Sequence, residues 1–112
     1  MRRGEIWLAQ VGRKRRPVLV LTRDEVLDVR SLVTVAEITT SIRGLAAEVP
    51  LGDHVGLDHE SAVNCDGLHT IPQTMLIELV GAIAPEKLTE VCSAIVYAVA
   101  CFAGNTNRPV HG

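Results

Sequence analysis

Arg15-Arg16-Pro17-Val18-Leu19-Val20-Leu21-Thr22 is a basic segment that passes through a proline into an unbroken apolar run. Pro17 fixes φ and brings no N–H, so it suits the first residue of a strand, and it biases Arg16 toward an extended backbone at the strand mouth. Val18 to Leu21 are apolar at both parities, which predicts a strand covered on both faces with a rigid amino-terminal end. A guanidinium mounted there can meet a phosphate with a fixed fork of donors. In an ordinary surface setting the same arginine would be a solvated charge, and this stretch alone does not separate the two readings.

At 112 residues, 47% of them hydrophobic, the chain has room for one core, and we expect one domain over residues 1–103 followed by a polar tail over 104–112. No apolar run reaches the length of a membrane span, and Met1-Arg2-Arg3-Gly4-Glu5 lacks the apolar core of a signal peptide. The expected location is the cytoplasm, with no membrane contact. Cys65, Cys92 and Cys101 are odd in number and form no Cys-x-x-Cys pair, so they are expected to be reduced thiols packed as small apolar groups. Net charge is −2, yet Arg2, Arg3, Arg13, Lys14, Arg15 and Arg16 supply six of the 11 basic residues, and Glu5 is the only acid before Asp24. That asymmetry suits a local anionic partner, or a solvated charged loop.

Along the chain, Glu5 to Val11 reads as a first strand, and Gly12 with the basic residues after it as a tight return into the Pro17 strand, making an antiparallel pair. Trp7 shares a parity with Ala9 and Val11, which favours a place in the core over a base-stacking role. With Trp7, Tyr97 and Phe102 as the only aromatics, a nucleic acid would be gripped mainly through its phosphates. Thr22 to Ser31 is a surface connection with space for one helical turn. Leu32 to Thr40 is rich in β-branched residues and reads as a third strand, with Glu37 and Thr39 on one face. Ala46 to Leu51 is extended again. His54 and His59 lie in the following polar loop at no recognisable metal spacing. Ser61 to Leu68 is a further strand kinked at Asp66-Gly67, Gln73 to Leu76 a short helix and Leu79 to Ala84 a last strand. After Pro85-Glu86, the spacing of Leu88, Val91, Cys92, Ile95, Val99 and Phe102 predicts an amphipathic helix.

These elements describe an α+β fold that is mainly β, a small, partly open antiparallel barrel of the SH3-like or CcdB-like kind closed by a C-terminal helix. Arg3-Gly4-Glu5-Ile6-Trp7, Arg16-Pro17-Val18-Leu19-Val20-Leu21-Thr22, Val35-Ala36-Glu37-Ile38-Thr39-Thr40, then Asp66 through Leu76 and the final helix together resemble the MazF/PemK family. The resemblance implies a toxin of a toxin–antitoxin pair, acting as a homodimeric, sequence-specific endoribonuclease on single-stranded RNA and held in check by a MazE-like antitoxin. It implies metal-independent attack of a ribose 2′-OH on the adjacent phosphate, leaving a cyclic phosphate and a 5′-OH, with no cofactor. Position by position it assigns catalysis to Arg16 and Thr39. The implied RNA-binding residues are Arg13, Lys14, Arg15, Thr40, Asp66, Gly67 and His69.

The chain departs from the family pattern at three places. Its first hairpin loop is short where relatives carry a long Gly-Ser-Glu loop, Glu37 stands where they commonly carry proline or alanine, and Gly67 where many carry glutamine or asparagine. The general acid and base stay open, Glu37 being one candidate base. Alternative readings are a CcdB-like toxin that binds gyrase without cutting, and a degenerate toxin that only binds its antitoxin.

Overall fold

The computed structural model describes residues 1–52 and 55–99. Six strands, β1 (Glu5–Val11), β2 (Lys14–Val20), β3 (Leu32–Thr39), β4 (Glu48–Leu51), β5 (Ser61–Pro72) and β6 (Leu76–Ala82), form one antiparallel sheet in the order β4-β5-β3-β2-β1-β6. A helical turn, α1 (Asp24–Leu27), joins β2 to β3, and the terminal helix α2 (Pro85–Val99) lies against β5 and β4. Predicted and observed bounds agree at β1 and differ by one residue at β3, the two strands with the clearest β-branched and alternating patterns.

The sheet carries an apolar cluster on each face, because β1, β2 and β3 place large residues at both parities. On the helix side Ile6, Leu19, Ala36, Ile38, Val49, Leu51, Val63, Cys65 and Val91 pack together, joined by Val80 from β6 and Leu57 from the loop before β5. Edge strands β4 and β6 thus contribute to one cluster, which requires the sheet to curl toward a barrel. Curling brings the backbone of Val55 and Gly56 onto β6: a Cβ at Gly81 would lie within 1.8 Å of the Val55 carbonyl oxygen, so only glycine fits. On the other face Ala9, Val18, Val20, Leu27, Val33, Val35 and Leu76 form the second cluster, with Trp7 half-buried against it, as its parity predicts. Truncating Ile6, which is fully buried, to alanine should cost about 2 to 5 kcal/mol.

Several expectations are corrected. Pro17 is the fourth residue of β2, not the first: the β1 pairing runs through it, from Ile6↔Leu19 to Val11↔Lys14. Pairing with β3 spans only Val18↔Glu37 to Val20↔Val35, stopping beside the residue that has no N–H to give. The turn is accordingly Gly12-Arg13, with Gly12 at φ +64°, and Lys14 to Arg16 are strand residues. The strand expected to end at Leu68 continues to Pro72, because the Asp66-Gly67 kink is a bulge and not a terminus. Gln73–Met75 is a single 3-10 turn, so the last strand begins at Leu76 and not Leu79. β4 is Glu48–Leu51, shorter than expected, and its Glu48 carboxylate accepts N–H bonds from Arg43 and Gly44 to close the preceding loop.

In α2, Pro85 and Glu86 occupy the first turn, Val91 is fully buried, and Ala94, Ile95 and Ala98 are partly buried against the helix-side cluster. Val99, expected on the apolar stripe, is 54% exposed. No described helix is long and apolar enough to cross a membrane. His59 is exposed; His54, Cys101, Phe102 and the tail over 104–112 lie outside the described residues.

Candidate active site

Register alone sets most of the site. Glu37 stands opposite Val18 on β2 and opposite Asn64 on β5, while Val35 stands opposite His69. Side chains two apart share a face, so Arg16, Glu37, Thr39 and His69 rise from the side of the sheet away from α2. Between Asn64 and Leu68, β5 has three residues, Cys65, Asp66 and Gly67, that oppose nothing on β3. His69 lies on the regular side of this bulge, opposite Val35, and is thus the diagonal same-face neighbour of Glu37. The Asn64 Oδ1 accepts from the Asp66 N–H at 3.1 Å and braces the excursion.

Glu37 is the hub. Its Oε1 accepts from Nη1 of Arg16 at 2.8 Å, and its Oε2 meets Nε2 of His69. The three side chains are 35%, 21% and 34% exposed for Arg16, Glu37 and His69, so they are held by the scaffold yet reachable from solvent. Gly67 lies over this carboxylate: a Cβ there would come within 3.1 Å of Asn64 Nδ2 and 3.4 Å of the Glu37 Cβ and Cδ. Nε of Arg16 is buried and has no hydrogen-bond partner among the described residues. A donor left so is costly, and its cost is a reserve that an arriving acceptor can relieve.

Thr39 closes β3, and its Oγ1 accepts the Ser41 N–H at 3.0 Å. That bond leaves the hydroxyl proton available to donate elsewhere. Continued two residues past Val18↔Glu37, the β2–β3 register would set Arg16 opposite Thr39, but the recorded pairing has already ended. The two therefore stand on either side of an opening between strands, and no hydrogen bond joins them among the described residues.

Residues 2–99 match the family described as PemK-like, MazF-like toxin of type II toxin–antitoxin systems. The chain belongs to this family. Probable endoribonuclease MazF2 of Mycobacterium tuberculosis is 37% identical to it over 102 residues, covering 90% of this chain and 100% of that protein. The solved structure of Mycobacterium tuberculosis toxin MazF-mt6 superposes with a TM-score of 0.81 and 42% identity, covering 86% of this chain and 96% of that one. An endoribonuclease from a mycobacterial species, solved in complex with its cognate antitoxin, shares the fold at a TM-score of 0.83 with 21% identity, over 90% of this chain and 96% of that one.

Of the residues singled out in this MazF-like chain, the structure gathers Arg16, Gly67 and His69 around Glu37, with Thr39 on the same face. Arg13, Lys14 and Arg15 do not join them; they are exposed along the hairpin, Lys14 on the parity of Arg16 and Arg15 on the other. Thr40 is exposed past the end of β3, and Asp66 is exposed on the bulge. Asn64, under Gly67, was not singled out, and the visible signal for it was the polar kink at Asp66-Gly67. Nor did the sequence reveal that Glu37 joins Arg16 to His69.

Chemically, the constellation offers a cation to hold an anion, a hydroxyl donor and a carboxylate–imidazole pair able to move a proton. Cys65 takes no part. It faces the helix side, its Sγ near the Val91 carbonyl at 3.8 Å, and burial pushes its pKa up to about 11, keeping it a thiol near neutrality. Among the described residues no three His, Cys, Asp or Glu side chains gather as a metal site.

Proposed function

We propose that the protein is a toxin endoribonuclease that cuts single-stranded RNA in the cytosol at specific sequences, without a metal ion. The observation that carries the reading is Arg16 tethered within β2, where pairing with β3 has ended, on the same face as Thr39, which offers a hydroxyl at the end of β3. In this reading the guanidinium and the Thr39 hydroxyl hold the non-bridging oxygens of one phosphate. The adjacent ribose 2′-oxygen attacks phosphorus, the P–O5′ bond breaks, and a 2′,3′-cyclic phosphate and a 5′-OH remain. Charge accumulates on the phosphoryl oxygens as phosphorus becomes five-coordinate, and each positioned donor is worth ~3 kcal/mol at that point. In-line attack needs a strand free to turn, which favours single-stranded over duplex RNA.

The hairpin residues Arg13, Lys14 and Arg15 guide the strand by charge, and Thr40, Asp66, Gly67 and His69 border its path. The working form is a homodimer: Ile77 and Leu79, 45% and 52% exposed, lie on edge strand β6, and a second copy would cover them and lengthen the groove. An antitoxin with an acidic, apolar segment that folds on binding would occupy the basic groove and exclude RNA. The names of the relatives favour a nuclease over a gyrase-binding toxin.

The test is incubation of the pure protein with mixed RNA in excess chelator, followed by analysis of the new ends. Cyclic phosphates paired with 5′-hydroxyls at a recurrent sequence are expected. Intact RNA, or cutting that requires a divalent ion, would overturn the proposal.

A further inference from the structure

Resting on the nuclease reading, we propose that His69 is the general base of RNA cleavage and that Glu37 is the residue that positions it. An ionised carboxylate can only accept, so in the neutral imidazole the Glu37 contact places the proton on Nε2 and leaves the Nδ1 lone pair as the basic site. Nδ1 makes no hydrogen bond among the described residues, and the ring is 34% exposed, so a substrate hydroxyl can reach it. Glu37 is itself poorly placed to be the base, because both of its oxygens are engaged, one by Arg16 and one by His69. Its double engagement instead fixes the distance between the anion-binding guanidinium and the imidazole. A phosphate seated on Arg16 thereby has its neighbouring 2′-OH on the side of His69.

The step balances. The 2′-OH proton passes to His69 Nδ1 as the O2′–P bond forms, and the imidazolium so made is stabilised by the Glu37 carboxylate it already touches. The P–O5′ bond breaks, O5′ takes a proton from water on the opposite side of phosphorus, and His69 returns its proton to solvent. No net proton or water is consumed. Gly67 lies close over this arrangement, and a Cβ there would touch Glu37 and press on the Asn64 side-chain amide.

The experiment compares full-length parent, His69→Ala, His69→Gln and Glu37→Gln proteins in single-turnover cleavage of an RNA carrying the sequence the parent cuts. A second substrate has sulphur in place of the bridging 5′-oxygen, a leaving group that needs no proton. Binding is measured separately on a 2′-deoxy version, and melts confirm folding; His69→Gln carries the test should the alanine variant not fold.

Loss of about a hundredfold or more in rate in both His69 variants on both substrates, with RNA affinity falling far less than the rate, is expected. Glu37→Gln should cut about tenfold more slowly while binding RNA more tightly, because a negative charge beside the phosphate is gone. With the melt unchanged, a slower rate beside undiminished binding separates positioning of the imidazole from a loss of fold. Near-parent rates in a His69 variant, restoration of its rate by the sulphur substrate, or a rate deficit matched by lost binding would each overturn the assignment. A parent protein that cuts no RNA would instead overturn the nuclease reading itself.

Discussion

Arg16 and Glu37 lie 21 residues apart in sequence and meet at 2.8 Å across the point where β2 and β3 cease to pair. Pro17 ends that pairing, Val18 and its register with Glu37 fix the approach, and the carboxylate passes the contact on to His69. The pair is part-exposed, so its worth to stability is small, on the order of 1 kcal/mol or less. Its consequence is orientation: a flexible arginine is held at the edge of an opening where an anion can enter.

Gly67→Ala should impair cleavage more than folding. The added Cβ would press on the Asn64 amide at 3.1 Å and fill the space against Glu37, restricting the hub while leaving both apolar clusters intact. A loss of about 1 kcal/mol in stability, read by denaturant titration, should accompany a rate loss of tenfold or more. An unchanged rate would show that Glu37 need not stay where it is.

Removing hairpin charge should act on binding and not on chemistry. Each of Arg13→Ala, Lys14→Ala and Arg15→Ala should weaken RNA affinity across sequences and lower the slope of log affinity against log salt by roughly 0.7, the single-strand value per phosphate contact. Single-turnover rates at saturating RNA should stay close to parent. Filter binding over a salt series reads the first, and quenched cleavage the second.

The buried thiol sets an alkaline limit on stability. Cys65 titrates at about 11 when folded against an ordinary value of 9.0, so the unfolded chain releases its proton first as pH rises. The contribution is whole below pH 9 and is lost as pH climbs from 9 toward 11, amounting to up to about 3 kcal/mol. Denaturant melts from pH 8 to 11 should show a steeper decline for the parent than for Cys65→Ala.

How far the sequence speaks depends on how local the cause is. β1 and β3 were legible because alternation and β-branching are properties of the strand itself, and Pro85-Glu86 with the spacing after it marked α2. The length of β5 was not, because Asp66-Gly67 carries turn chemistry whether a strand ends there or bulges, and only pairing with β3 decides. Pro17 misled in the same way: its missing N–H could face a strand start or the side where a neighbour leaves. Arg16 and Thr39 could be picked out by resemblance. The bridging role of Glu37 depends on contacts 21 and 32 residues away, which no local pattern encodes.

The central claim is that the opening beside Arg16 is where RNA is cut, and single-turnover cleavage by Arg16→Ala, Thr39→Ala and the double variant tests it most directly. Arg16→Ala should melt like the parent and cut on the order of a hundredfold more slowly or worse, Thr39→Ala about ten- to a hundredfold more slowly. If both residues hold one phosphate, the double variant should be little slower than Arg16→Ala alone. An Arg16→Ala protein that melts normally and cuts at the parent rate would contradict the account and move the site elsewhere.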